Sequence, residues 1–145
     1  MRQFWLLILA VIFWVMAVST ADVRAQEKKG VPPNGSEEKL SLVEAIVCED
    51  MKGSTPVNGA IVFSSDLEKI YCLTSFDPVP REMDIYHEWY RRDELKAKVR
   101  LTLKPPRWST FSSMRIRRSD RGPWRVTITD QEGKVLRTVR FSITE

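Results

Sequence analysis

Residues 95–104 read Leu-Lys-Ala-Lys-Val-Arg-Leu-Thr-Leu-Lys, and this stretch decides the fold class. Apolar and polar side chains alternate along it without interruption, as expected for an extended strand with one buried face and one face in water. The same period of two recurs in Trp124, Val126 and Ile128, and again between Val135 and Ile143. The chain is therefore predicted to be built from strands.

Turn residues divide the remaining chain after residue 41 into short apolar segments of similar length, with no helical period of useful length. We predict eight strands, at about 42–49, 60–64, 69–76, 83–91, 94–103, 108–117, 124–130 and 134–143. Short strands at this spacing are typical of an all-β sandwich or small barrel. The preferred fold is an immunoglobulin-like antiparallel β-sandwich of about eight strands, with Trp89 and Trp124 between the sheets.

The first 25 residues have the pattern of a secretory signal peptide. Arg2 precedes an apolar run from Phe4 to Val18, and small residues lead to a cleavage site before Gln26, with cleavage before Asp22 as the alternative. The apolar run is shorter than the roughly 20 residues of a spanning helix, although an uncleaved membrane anchor remains the alternative. We predict a flexible linker over 26–40, a sandwich domain over 41–145, a periplasmic or secreted location, and no membrane span after signal removal.

Four short motifs in order give this chain a family resemblance. They are His87-Glu88-Trp89, the segment from Arg107 and Trp108 to Ser112-Ser113, the segment Gly122-Pro123-Trp124-Arg125-Val126, and the turn from Asp130 to Gly133. This order resembles a bacterial secreted or membrane-attached family of unknown function, family 2914. The resemblance implies a β domain of the bacterial envelope and brings no activity, substrate or cofactor with it.

His87 is the only histidine, and it is in phase with Trp89 on the predicted strand. If Trp89 faces the core, His87 does too, and we expect a buried imidazole bonded to Ser112, Ser113 or a backbone carbonyl. A binding role, or catalysis in a secreted hydrolase, are the alternatives. The serines lack a Gly-x-Ser-x-Gly elbow, and we expect neither an enzyme nor a cofactor.

Cys48 and Cys72 are the only cysteines, and both lie in predicted strands. With His87 they lack the paired spacing of a zinc site, so no metal is expected. In an oxidising compartment the two cysteines are predicted to form a disulfide, which would stabilise the domain by roughly 3 kcal/mol. Two buried thiols acting as small apolar side chains are the alternative.

A row of cations is the strongest candidate for a binding surface. Lys96, Lys98, Arg100 and Lys104 share the polar face of one predicted strand, and Tyr86 and Tyr90 are also predicted to face outward. The net charge of the chain is only +4, with both signs mixed. Such a surface suits an anionic glycan or an envelope protein, and no nucleic acid is expected. The alternative is that these cations only keep the sheet soluble and unpaired at its edge.

Three functional hypotheses follow from these residues. The first is a non-enzymatic exported interaction domain of the bacterial envelope. The second is a carbohydrate-binding module that stacks sugar rings on Tyr86, Tyr90 or Trp108, and the third is the hydrolase using His87. Exposed and coplanar aromatic rings would favour the second hypothesis.

Overall fold

A computed structural model describes residues 38–145, so the predicted signal peptide and most of the predicted linker lie outside the described residues. The described chain consists of strands and one short 3₁₀ turn, Arg118–Asp120. The strands are β1 (Leu42–Lys52), β2 (Thr55–Gly59), β3 (Val62–Ser64), β4 (Lys69–Phe76), β5 (Met83–Arg91), β6 (Glu94–Leu103), β7 (Trp108–Arg115), β8 (Gly122–Asp130) and β9 (Val135–Thr144). Within residues 38–145 no helix is long and apolar enough to cross a membrane.

Two sheets pack face to face. The four-stranded sheet has the order β2-β1-β4-β7, and the five-stranded sheet has the order β3-β9-β8-β5-β6. All neighbouring strands run antiparallel except β3, which pairs with β9 in parallel. With β1, β4 and β7 as strands A, B and E, and β5, β6, β8 and β9 as strands C, C′, F and G, this is the immunoglobulin Greek-key order. The predicted immunoglobulin-like sandwich is confirmed, with nine strands rather than eight.

The additional strand is β2, whose sequence Thr-Pro-Val-Asn-Gly has the composition of a loop. It pairs with the end of β1 through a hairpin at Gly53, where φ is +61° and a glycine avoids strain. A proline is tolerated there because β2 lies at the edge of its sheet.

The core between the sheets is centred on aromatic side chains, as predicted for the two tryptophans. Trp89 is fully buried and Trp124 is 4% exposed. Phe141 joins them, with its ring edge-on to Trp89 at 6.2 Å and stacked on Trp124 at 6.2 Å between centroids. A second cluster, around Ile85 and Leu103, fills the other end of the sandwich.

Replacing Trp124 by alanine is expected to lower the free energy of unfolding by about 3–5 kcal/mol, because a large cavity would open in the first cluster. The matched control is Trp108→Ala, which is expected to cost clearly less, because Trp108 is 38% exposed and belongs to neither core cluster. Urea denaturation of both variants measures the difference. Equal stability losses in the two variants would contradict this account of the core.

The predicted disulfide between Cys48 and Cys72 is wrong: both cysteines are free and buried. They lie on neighbouring strands, but the residue opposite Cys72 is Val47, while the residue opposite Cys48 is Tyr71. Because opposite residues of a sheet share a face, Cys72 faces the core with Val47, and Cys48 faces the outer side of the sheet. A one-residue offset therefore separates two thiols that the sequence places on adjacent strands.

In the native protein both thiols are expected to react slowly with alkylating reagents. Burial raises the pKa of the Cys72 thiol to about 12 and also raises the pKa of Cys48, so the reactive thiolate is scarce. In denaturant without reductant, mass spectrometry should find two alkylated cysteines per chain. If the denatured chain takes up no label until a reductant is added, the two cysteines form a disulfide and this account of free thiols is wrong.

Candidate functional site

A buried hydrogen-bonded network around His87 joins the two sheets. His87 and Trp89 project inward from β5, and Thr74 and Ser112 project inward from β4 and β7 of the other sheet. His87 Nδ1 lies 2.8 Å from Ser112 Oγ, and His87 Nε2 lies 3.0 Å from Thr74 Oγ1. Trp89 Nε1 donates to the same Ser112 Oγ at 3.0 Å. The predicted contact between a buried His87 and Ser112 is confirmed.

The direction of these hydrogen bonds follows from matching every donor to an acceptor. Thr74 Oγ1 donates to the carbonyl oxygen of Thr110 at 3.5 Å, so its oxygen is free to accept from His87 Nε2–H. The unprotonated Nδ1 then accepts from the hydroxyl of Ser112, whose oxygen accepts from Trp89. The network therefore holds a neutral imidazole with its proton on Nε2.

Burial lowers the pKa of His87 to about 4, because a charged imidazolium would lose its hydration in the core. His87 is fully buried and Ser112 is 5% exposed. Both ring nitrogens are occupied by hydroxyl groups, and no solvent-facing atom of the ring remains to meet a substrate. The arrangement is suited to positioning the two sheets.

The two serines of the Ser-Ser motif have separate environments. Ser112 faces the core opposite Cys72, whereas Ser113 faces outward opposite Tyr71 and is exposed. Gly122, at the start of β8, has φ +115°, a conformation that L side chains rarely adopt. Gly122 therefore allows the turn into β8 that places Trp124 in the core.

Acidic neighbours pair with much of the predicted basic row. Lys98 Nζ is 2.8 Å from Glu88 on β5, Lys96 Nζ is 2.6 Å from Glu94, and Arg100 Nε is 4.0 Å from Asp84. Burial raises the pKa of Glu88, but hydrogen bonds from Lys98 and Tyr90 together outweigh it, so that the pKa lies below its usual value. These side chains do face outward, as predicted, but on a surface of mixed charge. Lys104 extends from the end of the row toward the other sheet, 5.9 Å from the Trp108 ring centroid.

The three aromatic candidates for sugar stacking do not lie on one surface. Tyr86 and Tyr90 are on β5, and Trp108 is on β7 of the other sheet. Lys98 Nζ lies 4.6 Å from the centroid of the Tyr86 ring, and the guanidinium carbon of Arg125 lies 4.3 Å from that of Tyr90. One face of each tyrosine ring is thus occupied by a cation of the protein itself.

The outer face of the four-stranded sheet carries an apolar patch that the sequence analysis missed. Its centre consists of Ile46, Tyr71, Leu73 and Phe111 on three neighbouring strands. Leu73 is 2% exposed although it lies on this outer face, whereas Phe111 is 43% exposed. The Phe111 ring meets Tyr71 edge-on at 5.9 Å between centroids. We refer to these four side chains as the outer patch.

The outer patch continues to an open strand edge at β7. Along β7, Ser109, Phe111 and Ser113 face outward with the patch, and Ser109 Oγ donates to Ser75 Oγ at 2.9 Å. From Trp108 to Met114 the strand contains no charged residue, and within the described residues its other side is unpaired. The spacing in Trp-Ser-Thr-Phe-Ser-Ser-Met could have shown that Phe111 lies on the opposite face of the strand from Trp108 and Met114.

The other sheet edges are short, interrupted or charged. β3 has only three residues, and β2 has five residues with Pro56 and Gly59. The ten-residue edge strand β6 carries a cation at every second position from Lys96 to Arg100. These are the devices that proteins use to prevent strand pairing at an edge. Among the described sheet edges β7 alone has a long uncharged run, Trp108 to Met114, with its one charge, Arg115, at the end of the strand.

No cluster of three or more histidine, cysteine, aspartate or glutamate side chains that could hold a metal ion occurs within residues 38–145. The one histidine is committed to Ser112 and Thr74.

Comparison with known proteins gives a family match for the C-terminal part of the sandwich. Residues 82–143 match the model of a family described as protein of unknown function, DUF2914, and the resemblance seen in the motifs is confirmed. The matched segment spans β5 to β9 and contains His87, Trp89 and Ser112. Strands β1 to β4, with Thr74, precede the matched segment. Comparison with curated proteins found no match.

Acid is expected to destabilise the domain through His87. The pKa of its imidazole is about 4 in the folded protein and about 6.5 when unfolded, so between these values only the unfolded chain binds the proton. This stability is therefore complete above pH 6.5 and is lost as pH falls toward 4, by about 3 kcal/mol in total. Urea denaturation between pH 7.5 and 5 measures most of this slope before carboxylate protonation contributes.

The control is His87→Gln, which lacks a titrating group at this position. The variant is expected to be less stable at neutral pH but to lose little further stability between pH 7.5 and 5. An unchanged slope in the variant would place the pH sensitivity elsewhere in the molecule.

Proposed function

We propose that this protein is a non-catalytic interaction domain, exported to the bacterial cell envelope, that binds its partner by strand addition at β7. In strand addition an extended segment pairs with an open sheet edge, and alternate side chains fill sites on the two faces. The observation that carries the proposal is the uncharged run from Trp108 to Met114 at the open edge of β7, next to the outer patch.

The unpaired backbone of β7 supplies the first part of the argument. A sheet edge offers a row of N–H and C=O groups that can pair with another strand, and proteins usually block an edge that must stay free. Here β2, β3 and β6 are blocked by proline, shortness or charge, while β7 is not. The difference favours a role for β7 in pairing.

Two exposed aromatic side chains on the same strand supply the second part. Phe111 is 43% exposed on the outer face of β7, and Trp108 is 38% exposed at its beginning. A strand added to β7 would cover part of both rings. Each covered square ångström of apolar surface contributes roughly 25 cal/mol to association before the costs of ordering are subtracted.

The interior supports a non-catalytic role. Histidine and serine are residue types that hydrolases use in catalysis, but here His87 and Ser112 are buried and bonded to each other. His87 also bonds to Thr74, and Ser112 also bonds to Trp89. A catalytic base must reach a proton of the substrate within hydrogen-bonding distance. The role that suits this buried arrangement is structural.

The surface charges favour β7 over the basic row as the binding site. An anionic partner would have to replace the contacts of Lys98 with Glu88 and of Lys96 with Glu94. A sugar that stacked on Tyr86 would compete with Lys98 for the ring. Export and the bacterial envelope enter the proposal from the signal-peptide pattern of residues 1–25 and the family resemblance.

Selection from a library of ten-residue peptides tests the mode of binding. Binders are expected to be extended, with alternating apolar and hydroxyl side chains, and to perturb the amide resonances of β7 and β4. The variant with Ser109→Lys and Ser113→Lys should bind them at least about tenfold more weakly, because lysines at an edge oppose pairing. The matched control, Lys96→Gln with Arg100→Gln on the β6 edge, should bind them as the wild type does.

Salt separates this mode from recognition by the basic row. Between about 0.1 and 1 M salt the screening length falls from about 10 to about 3 Å, which weakens binding by exposed cations. Strand addition at β7 should change little over this range. Binders that map to β6 and are released by salt would refute the proposal.

A further inference from the structure

We infer that the strand added at β7 is β7 of a second copy, paired antiparallel across a two-fold axis. This inference rests on the proposed function and names its partner. The two four-stranded sheets would then join into one eight-stranded sheet, with the order β2-β1-β4-β7 continued in reverse by the second copy. A two-fold interface requires a surface that is complementary to itself.

The charge distribution meets this requirement at β7. The chain has a net charge of +4, so two copies repel one another over most orientations. Two β6 strands placed edge to edge would bring rows of lysine and arginine together. Between Trp108 and Met114, by contrast, β7 presents no charge of either sign to an identical strand. The flanking cations Arg107 and Arg115 lie beyond the two ends of this run, and Arg107 Nε is 3.9 Å from a carboxylate oxygen of Asp77 in its own chain.

The side-chain pattern of β7 selects one register. With the two-fold axis at Phe111, each Phe111 lies opposite the Phe111 of the second copy, and Ser109 lies opposite Ser113. Like side chains thus meet like along the outer face, and the aromatic pair at the centre is the kind that stabilises neighbouring strands. Moving the axis by one residue in either direction would place Phe111 opposite a serine.

The same register matches the inner face of β7. Trp108 falls opposite Met114 of the second copy, and Thr110 falls opposite Ser112. Trp108 is 38% exposed in one copy, and the thioether of a methionine is a favourable neighbour for an indole ring. One pairing therefore covers both exposed aromatic side chains of the strand.

The outer patch gains from the pairing as well. Phe111 ends the patch at the open edge of one copy, with Tyr71 and Leu73 on the next strand inward. Across the two-fold axis the patch of the second copy begins with its own Phe111. The pairing joins two small apolar patches into one continuous surface.

Introducing charges at β7 tests the inference on the full chain. Ser109 and Ser113 are exposed, so lysines there should leave the folded monomer intact. In the proposed register the introduced lysines oppose one another at two places, and the dimer dissociation constant should rise at least about tenfold. A second double variant, Ser109→Glu with Ser113→Glu, should be monomeric for the same reason.

A mixture of the two double variants gives the most direct test of the proposed register. Lysine on one copy then opposes glutamate on the other at both places, and a dimer containing one copy of each should form. Sedimentation velocity measures the oligomeric state of the wild type, of each variant and of the mixture, and circular dichroism checks that each variant is folded. Lys96→Gln with Arg100→Gln is the control and should remain dimeric.

The outcomes distinguish this inference from the proposed function. A wild-type chain that stays monomeric at every accessible concentration, or a lysine variant that stays dimeric, overturns the homotypic pairing. If the monomeric chain nevertheless binds selected peptides along β7, strand addition stands and the partner is a different protein. If neither dimer nor peptide binding at β7 is found, both proposals fall.

Discussion

The sandwich depends on one buried imidazole that bonds across the space between its sheets. His87 belongs to the five-stranded sheet, and its two nitrogens bond to Ser112 and Thr74 of the four-stranded sheet. An apolar core fixes how much surface is buried, but it tolerates sliding of one sheet over the other more readily than directional bonds do. With Trp89 also bonded to Ser112, any shift of the sheets would leave buried donors without acceptors, which costs about 1–3 kcal/mol for each group.

The hydrogen-bonded network around His87 links the two sheets, as a disulfide does in antibody domains. In antibody domains a disulfide joins strands B and F across the core and packs against a tryptophan on strand C. Here Cys72 is on the B-type strand β4 and Trp89 on the C-type strand β5, within one cluster. The side chains that the F-type strand β8 contributes to that cluster are Trp124 and Val126, neither of which can bridge to a thiol. Hydrogen bonds from strand C to strands B and E hold the sheets together instead.

The sequence allowed most of the strands to be predicted, because alternation along one strand is a local property. The buried positions of Trp89, Trp124 and His87 followed from the same period of two. Properties that depend on how two strands align could not be predicted in this way. The free cysteines depend on a pairing of Val47 with Cys72 that no local pattern reveals, and β2 forms from a segment with the composition of a loop. The basic row was placed on the correct face, but its pairing with Glu88 arises from the register of β5 and β6.

The choice of the binding surface depends on the same difference between local sequence patterns and the pairing of strands. The cations of β6 were predicted to form a binding surface because charged residues are easily recognised in a sequence. On an edge strand, however, such charges prevent pairing with other strands. The segment from Trp108 to Met114 is inconspicuous in the sequence because it has no charge and no catalytic motif. The sheet order places β7 at an edge, and the uncharged run from Trp108 to Met114 then distinguishes it from the other edge strands. Ser112 links the buried network to the open edge. It belongs to β7, the edge strand, and its inward-facing hydroxyl bonds to His87 and Trp89. A rigidly held edge loses little conformational freedom when a strand is added, which favours β7 as a binding element.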